Sequence, residues 1–542
     1  MTVVKNLVKK SFFRDSLQLM RLSEEVKKLP GILDAAVLMA TDTNKEILQK
    51  LGLLTSEGEE ASKDDMILAV KAEDESTADE ALRKIEDMLM KVPAAAAPEA
   101  GRICYSVDSA LEAMPDANFA IVSVPGEYAK DVVMDLLKRD IHVHVFSDHV
   151  PIEDEVEMKR FASERGLLVL GPGAGTSIIN GKAIAFANVV RRGSVGIVAA
   201  AGTGLQEVSV LLDRIGLGVS QALGIGGNDV KKEVGGIMAI DCIRALEADR
   251  KTKLIMVVAK PPDKEVMKKI TKVITEETRK PFIICFQSLR EYKPPKKLAR
   301  RVKAVRGLHA AAIQAVKLLK TKAVQKAHKR ISMRPRELRA LAMKLAKKLK
   351  PSQKYIRALY TGGTLMYEAM LIYRELIGNV YSNAPLSSRY KLPDPHRSFK
   401  HSVIDLGEEE FTAGRPHPMI DPTVRKLRLI EEAKDPSVAV ILMDFMLGYG
   451  SHEDPAGAMV DSIEEAMKIA EEDGRNLIIL GHVCGTRKDP QNLVEQERKL
   501  KKIGVQLYPS NALAVIASAL IVKRGKVKAD RLRKVYRSFV GI

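Results

Sequence analysis

Tryptophan is absent from this 542-residue chain and aromatic residues make up only 4% of it, so its cores must be built from aliphatic side chains. Cysteine is scarce too. Cys104, Cys242, Cys285 and Cys484 stand singly, with no CxxC spacing, which excludes a disulfide framework and gives no reason to expect a metal. No run of about eighteen apolar residues occurs, which argues against a membrane span. Nor does the start, MTVVKNLVKKSFFRDS, read as a secretory signal, because charge interrupts each apolar stretch within a few residues. A soluble protein of the reducing cytoplasm is the expectation.

What is present is length and positive charge. A chain this long exceeds one hydrophobic core and is expected to divide into roughly three or four domains. Lys plus Arg outnumber Asp plus Glu by 87 to 69, a net charge of +18. Such a balance suits a polyanionic partner, an anionic metabolite or simply a lysine-rich surface, and charge alone does not choose among them.

Residues 1–106 read as strand, helix, strand, short helix, strand, helix, strand. That is a small split βαβ domain of α+β type, with the Ala/Pro-rich VPAAAAPEAGR leading into its last strand, RICYS. Residues 107–192 alternate strand and helix as a truncated Rossmann-like unit, whose unbroken apolar runs predict parallel strands buried on both faces. Residues 193–290 repeat the pattern, 291–352 form a Lys/Arg-rich segment expected to be a basic helical connector, and 353–542 make a third α/β unit. The second and third units look duplicated. GIVAAAGTGLQEVSVLL aligns with RALYTGGTLMYEAMLIY, setting Glu207 and Glu368 at the same offset after a Gly/Thr turn. The fold class is therefore α/β, with two flavodoxin-like modules of parallel sheet behind the smaller domains.

Each of those turns joins a buried strand to a helix. Glycine there allows close approach of a ligand, while the first free N–H groups point outward with the positive end of the helix dipole. Gly202, Thr203 and Gly204 in one copy, and Thr361, Gly362, Gly363 and Thr364 in the other, are candidate phosphate cradles; for either alone, a plain βα turn is the bland alternative. Modules related by a pseudo-two-fold would aim both helix starts at one doubly charged anion. GIGGNDV adds Gly226, Gly227, Asn228 and Asp229 as loop candidates, and GPGAGTS at 171–177 is expected to loop over the carboxyl ends of the strands. FMLGYGSHEDPAG puts Tyr449 and His452 at the same end, although His452 also reads as an ordinary solvated loop histidine. The strongest single candidate is His417 in FTAGRPHPMIDPT, where Pro416 and Pro418 stiffen the backbone around an imidazole. Arg415 offers a fork for phosphate or carboxylate, and Asp421 either orients the ring or caps the following helix. His142 and His144 alternate within a strand, which points to packing rather than to a metal.

In order, AGTGLQE, GIGGNDV, KEVGGI, KPP, LYTGGT, IDLG, GRPHPMIDPT, GYG and DPQ resemble the FdrA family, a branch of the succinyl-CoA synthetase superfamily, over nearly the whole chain. The resemblance implies a CoA-binding-type unit at 107–192, two succinyl-CoA-synthetase-like modules, and turns similar to the pair of phosphate-facing helices that receive the superfamily's phosphohistidine. There are departures. Ala201 stands where the alpha subunits carry serine, and Lys260, with Pro261 and Pro262, occupies the place of their catalytic glutamate. GLHAAA around His309 is similar to the phosphohistidine motif, but falls in the basic segment and too far beyond the preceding strand. Neither an ATP-grasp lobe nor a glycine-rich CoA loop is found.

FdrA likeness further implies one subunit of a system interconverting oxalurate plus phosphate with oxamate plus carbamoyl phosphate, in anaerobic purine or allantoin catabolism. On that reading Arg415 clamps an anionic oxygen, His417 is base or covalent carrier, and Lys260 joins the substrate loops. Phosphate or carbamoyl phosphate is the expected ligand, CoA stays open, and a homo-oligomer with partner subunits is expected. One rival is a CoA-ligase core served by a separate ATP-grasp subunit. Another is a scaffold whose basic connector touches nucleic acid, although that segment lacks aromatic interleaving.

Overall fold

The computed structural model of the chain describes residues 2–10, 12, 16–27, 29–41, 44–45, 48–49, 51–63, 65–91, 104, 106–319, 328–412 and 415–541. It divides into two compact units, Met1–Ser106 with Glu409–His417, and Val107–Glu408 with Pro418–Ile542.

In the first unit β1 (Val3–Lys9), β2 (Ile32–Met39) and β3 (Met66–Ala72) form an antiparallel sheet in the order β1-β3-β2. Period-two patterning decides its faces. Val37, Leu68 and Val70 pack with Leu22 and Val26 of helix Ser16–Lys27 and Ala81 and Ile85 of helix Glu75–Lys91. Ile67 and Ala69, one residue out of phase, join Leu48 and Leu53 in a second cluster. This is the split βαβ arrangement expected; VPAAAAPEAGR and most of RICYS lie outside the described residues.

The second unit opens with a small parallel sheet of β4 (Phe119–Val122), β5 (His142–Val145) and β6 (Val169–Leu170), in that order. Its Val143, Met158 and Val169 share one core with Val198, Met238 and Ile243 of the next module. That module contains β7 (Thr176–Ile179), β8 (Lys182–Ala185), β9 (Arg192–Ala199), β10 (Val219–Gly224), β11 (Leu254–Ala259), β12 (Phe282–Phe286) and β13 (Val302–Val305). Their order is β13-β12-β11-β9-β10-β7-β8. Strands β9 to β13 are parallel in the flavodoxin-like order, and β7–β8 is an antiparallel hairpin added at one edge.

The third sheet comprises β14 (Tyr355–Tyr360), β15 (Tyr381–Ser382), β16 (Ser402–Asp405), β17 (Val438–Met446), β18 (Ile478–Cys484) and β19 (Gln506–Tyr508). All pairs are parallel, in the order β15-β16-β14-β17-β18-β19. Without the short β15 this is the arrangement of β9 to β13 again, so the duplication seen in the sequence is a duplication of topology. Leu205 and Leu211 of one copy, Leu365 and Met370 of the other, and Leu513 and Ile516 of helix Asn511–Val522 belong to one continuous core.

Two expectations are corrected. Residues 291–352 are not a connector: Val302–Val305 is the edge strand of the first module, and helix Leu308–Leu319 completes it, with Leu308, Ala311 and Ala315 buried. Helix Pro335–Ala346 follows, burying Leu338, Ala342 and Leu345 while Arg336, Lys344 and Lys347 face out, so its basic character is that of a solvated face. GPGAGTS is loop only as far as Gly175, because Thr176 and Ser177 open β7. Among the described residues, no helix is long and apolar enough to cross a membrane.

Candidate anion-binding site at the seam of the two modules

Helix Gly202–Arg214 is preceded by Ala201 and helix Gly363–Leu376 by Gly362, both extended, with φ of −161° and −170°, and neither start carries a side-chain cap. Alanine and glycine have no oxygen with which to hold first-turn N–H groups, whereas Ser510 accepts from Leu513 N at the start of Asn511–Val522. The two uncapped starts meet. A Cβ on Gly362 would lie 2.5 Å from Thr203 Cγ2, and one on Gly204 would lie 2.7 Å from Thr364 Cγ2. Each threonine thus rests against a glycine of the other turn. Thr203, Gly204, Gly362 and Thr364 are buried while Gly202 and Gly363, the first residues of the two helices, are half-exposed, so the opening lies there.

Lys260, just beyond β11, brings Nζ to 3.6 Å from the position of a Cβ on Gly363 and to 5.6 Å from the Tyr367 ring centroid. Asp405, the last residue of β16, sets Oδ2 2.9 Å from that same position and accepts Gly407 N through Oδ1 at 2.9 Å. Burial and the charge of Glu408 raise Asp405 to about 7, against the pull of Lys260. A carboxyl poised there both donates and accepts protons near neutrality. Sequence reading missed it, although it lies within the IDLG motif.

Thr361 plays a different part from the one expected. Its N–H lies 3.1 Å from Asp444 Oδ1 and its hydroxyl 2.8 Å from Asp444 Oδ2, so both donors are taken up in shaping the turn. Asp444 is itself held by Arg425, with Nη2 at 3.4 Å from Oδ1. Burial raises the carboxyl of Asp444, with Arg425 and Thr361 opposing. A lone acid inside the apolar run VAVILMDFM was the signal that could have found this anchor.

One turn further along each helix, the paired glutamates act across the seam. Glu207 Oε1 accepts from Asn511 N at 3.2 Å, at the start of helix Asn511–Val522 of the second module; Glu368 Oε1 accepts from Leu308 N at 2.8 Å, at the start of helix Leu308–Leu319 of the first. Each module thus caps the other, and Asn511 Nδ2 closes the set on Glu368 Oε2 at 2.9 Å. Burial would raise Glu207, but His482, with Nε2 2.6 Å from Oε2, holds its carboxyl below the usual range. Glu368 lacks such a partner, and burial raises it to about 8.

A pH dependence follows. Between the ordinary carboxylate range and about 8, the folded state keeps a proton on Glu368 that the unfolded chain has lost, so stability falls as pH rises through this window and levels off above it. Asp405 acts in the same direction up to about 7. Measured by urea unfolding followed by circular dichroism, the stability of the wild type relative to Glu368→Gln should fall by about 3–5 kcal/mol from pH 5 to 8, the difference isolating this carboxyl from the buried histidines that titrate in the opposite direction.

The surrounding loops are built from the other expected residues. Gly175 Cα lies 3.9 Å and Thr176 Oγ1 3.5 Å from a Cβ on Gly202, placing GPGAGTS beside the first cradle. Gly226, at φ +79°, backs onto Pro172 O; Gly227 is exposed. Asn228 donates to Glu155 Oε2 at 3.0 Å, and the buried Asp229 accepts from Met238 N and Ala239 N at 3.1 and 2.9 Å, which makes both of them framework. Tyr449 is exposed, with its N–H on Ala187 O at 2.9 Å. His452 donates its N–H to Met419 O at 2.7 Å and accepts Asp454 N on Nδ1 at 2.9 Å, as a loop histidine does.

Arg415 and His417 belong to the first compact unit and the two cradles to the second. Arg415 is exposed and His417 half-buried, and burial lowers the imidazole to about 4, so the ring is neutral at physiological pH. Asp421 Oδ1 accepts Thr423 N at 2.9 Å and Thr423 Oγ1 at 2.6 Å, which is the helix-start role. His142 is half-buried, accepting Leu168 N on Nδ1 at 3.0 Å, and His144 is buried. His309 does not trail its strand, as the sequence suggested: β13 ends at Val305, and His309 is the second residue of the helix that begins at Leu308. Its Nδ1 is 2.7 Å from Ser510 Oγ, and burial lowers it to about 4.

Family models match in three places: one described as CoA-ligase at residues 359–521, one as CoA binding domain at 190–287, and one as AllF, heavy metal-associated domain at 1–102. Over 523 residues, 96% of this chain and 99% of the relative, the sequence is 40% identical to the Uncharacterized protein YahF of Escherichia coli (strain K12). The chain belongs to the FdrA family, within the succinyl-CoA synthetase superfamily. A stretch of 157 residues is 32% identical to the Succinate–CoA ligase [ADP-forming] subunit alpha 2 of Archaeoglobus fulgidus, covering 28% of this chain and 53% of that subunit. Among solved structures, the acetyl-coenzyme A synthetase 1 of Ca. Korarchaeum cryptofilum with phosphate and ADP is similar over 78% of this chain and 84% of its own, at 16% identity and a TM-score of 0.27. Residues 1–102 contain no cysteine and no histidine, so this FdrA chain lacks there the thiolate and imidazole donors that soft and borderline metals take, and the match bears on the fold of that domain.

Proposed function

We propose that the seam between the two modules binds phosphate, or the phosphoryl end of carbamoyl phosphate, and that the chain is a carbamoyl or acyl transferase subunit. The observation that carries this is the meeting of two uncapped helix starts, Thr203 against Gly362 and Thr364 against Gly204, with their first residues half-open beside Lys260. Oriented N–H groups and one ammonium in a water-poor cleft favour an oxyanion and stabilise charge on a carbonyl oxygen under attack. In the direction of breakdown, a phosphate oxygen attacks the ureido carbonyl of oxalurate. The bond from that carbon to the amide nitrogen breaks, the nitrogen takes up the proton that phosphate releases, and oxamate and carbamoyl phosphate result.

Asp405, raised to about 7, supplies or accepts that proton. Arg415 and His417 enter as the expected anion clamp and base, in an assembly that includes partner subunits. The purified chain, alone and with those subunits, is given carbamoyl phosphate and oxamate. Oxalurate should form, and His417→Ala should abolish it with the circular dichroism unchanged; unaltered turnover in His417→Ala removes that role.

A second reading, acid–thiol ligation with a separate ATP-grasp partner, is favoured by the CoA-binding match and by a groove of about 610 Å³ at its edge, where Lys264, Lys268, Lys272, Lys293, Lys297 and Tyr292 outnumber the one acid, Glu276, which pairs with Lys272. Five ammonium groups and an aromatic ring suit the phosphorylated nucleotide end of CoA, whose thiol carries the acyl group. Tight CoA binding by the isolated chain, without oxalurate formation in the first assay, selects this reading.

A further inference from the structure

We propose that Glu207, His482 and Cys484 form a binding site for a divalent cation of the zinc class, clamping the first cradle helix to the sheet of the second module. Glu207 lies far from His482 and Cys484 in sequence, and no spacing paired it with them. Glu207 comes from helix Gly202–Arg214, while His482 and Cys484, two apart on β18, face the same side of their strand. One ligand atom from each lies within 4.8 Å of the other two, and all three residues are buried.

Proton accounting favours a cation. His482 Nδ1 lies 3.1 Å from Tyr508 O, which only accepts, so Nδ1 carries a hydrogen. Nε2 then faces Glu207 Oε2 at 2.6 Å, and a proton must sit between them. That proton and the thiol hydrogen of Cys484 occupy the positions a cation takes. Replacing both by one M²⁺ leaves carboxylate, imidazole and thiolate with no net charge in an interior that penalises any.

The outer contacts are those of a ligating set. Tyr508 O orients the imidazole, and Asn511 N, at 3.2 Å from Oε1, orients the carboxylate. A further donor stands close by. His309 is buried, meets the same 508–511 turn through Ser510, senses Glu207 and His482 electrostatically, and has Nε2 without a hydrogen-bond partner. Coordination asks that the oxygen and nitrogen open to about 3.3 Å and that the sulfur settle about 3.5 Å from each, the edges of a zinc tetrahedron.

The full-length chain, stripped with a chelator and confirmed folded by circular dichroism, is titrated with Zn²⁺ and separately with Co²⁺. One equivalent of Zn²⁺ should bind with release of two protons, raising the thermal midpoint, and Co²⁺ should give a thiolate charge-transfer band in the near ultraviolet. Cys484→Ser should lose the band and His482→Gln should weaken it, while Cys104→Ser, which removes the half-buried thiol, should leave it intact. A folded wild-type chain with no such band, or a band that survives Cys484→Ser or disappears with Cys104→Ser, overturns the assignment. The wild-type spectrum decides this without any variant needing to fold, and without reference to carbamoyl transfer.

Discussion

Lys159→Met is expected to lower the stability of the larger compact unit by about 3–5 kcal/mol, the range for stripping one partner from a buried ion pair. The ammonium of Lys159, in helix Ile152–Glu164, is fully buried. It donates to Glu155 Oε1 at 2.8 Å, Asp229 Oδ1 at 2.9 Å and Ile225 O at 2.9 Å, and both acids are also fully buried. Methionine fills the space of the stem but leaves two carboxylates without a counter-charge. Asp229 keeps Met238 N and Ala239 N, and Glu155 keeps only Asn228 Nδ2 among the partners seen. Urea unfolding should therefore show a lowered midpoint at unchanged slope. Adding Glu155→Gln and Asp229→Asn to Lys159→Met should recover a large part of the loss, since the triple variant buries no charge at all. A single variant within about 1 kcal/mol of wild type would show that water reaches the cluster and that its burial is not what holds the GIGGNDV loop in place.

The large features of this fold were legible because they are periodic or repeated. Apolar runs such as LIMVVA and VAVILM marked buried parallel strands, and the recurrence of a buried strand, a Gly/Thr turn and a helix carrying Glu207 or Glu368 at the same offset exposed the duplication. What escaped falls into two kinds. The first is local. The hairpin β7–β8 turns on Asn180 and Gly181, at φ 50° and 78°, a two-residue Asn-Gly signal lying just beyond the glycine-rich stretch at 171–177 that drew the reading. Strand β13, VKAV in sequence, hides among basic residues because it is an edge strand with only one neighbour and two of its four residues half-exposed. The second kind is not local at all. Asp405 becomes a neutral-range acid because the fold buries it beside Glu408, with Lys260 opposing, and Asp444 becomes an anchor only because Thr361 arrives from another strand. Such roles are properties of meeting points, which a single sequence does not encode by spacing. Glu207 stands between the two kinds: its position was visible, but its partners His482 and Asn511 were not.

Gly362→Ala is expected to cut the proposed phosphate-dependent carbamoyl transfer by about 100-fold or more, the order seen when a reacting group is misplaced by an ångström or an oxyanion donor is lost. Gly362 sits at φ −170°, extended backbone that alanine adopts without strain, so the effect is steric. The new Cβ would lie 2.5 Å from Thr203 Cγ2 and 3.2 Å from Thr203 Oγ1, and the two helix starts must move apart to admit it. Separated, they no longer aim their free N–H groups at one anion. Thr203→Ser removes the methyl group that clashes while keeping the hydroxyl, so Gly362→Ala with Thr203→Ser should regain most of the lost turnover, a coupling that a merely destabilising change at either position would not show. Binding of inorganic phosphate should follow the same order: weak in the single variant, restored in the pair. Full activity in Gly362→Ala, or no recovery on adding Thr203→Ser, would mean that the contact between the turns is ordinary packing and that the anion binds elsewhere.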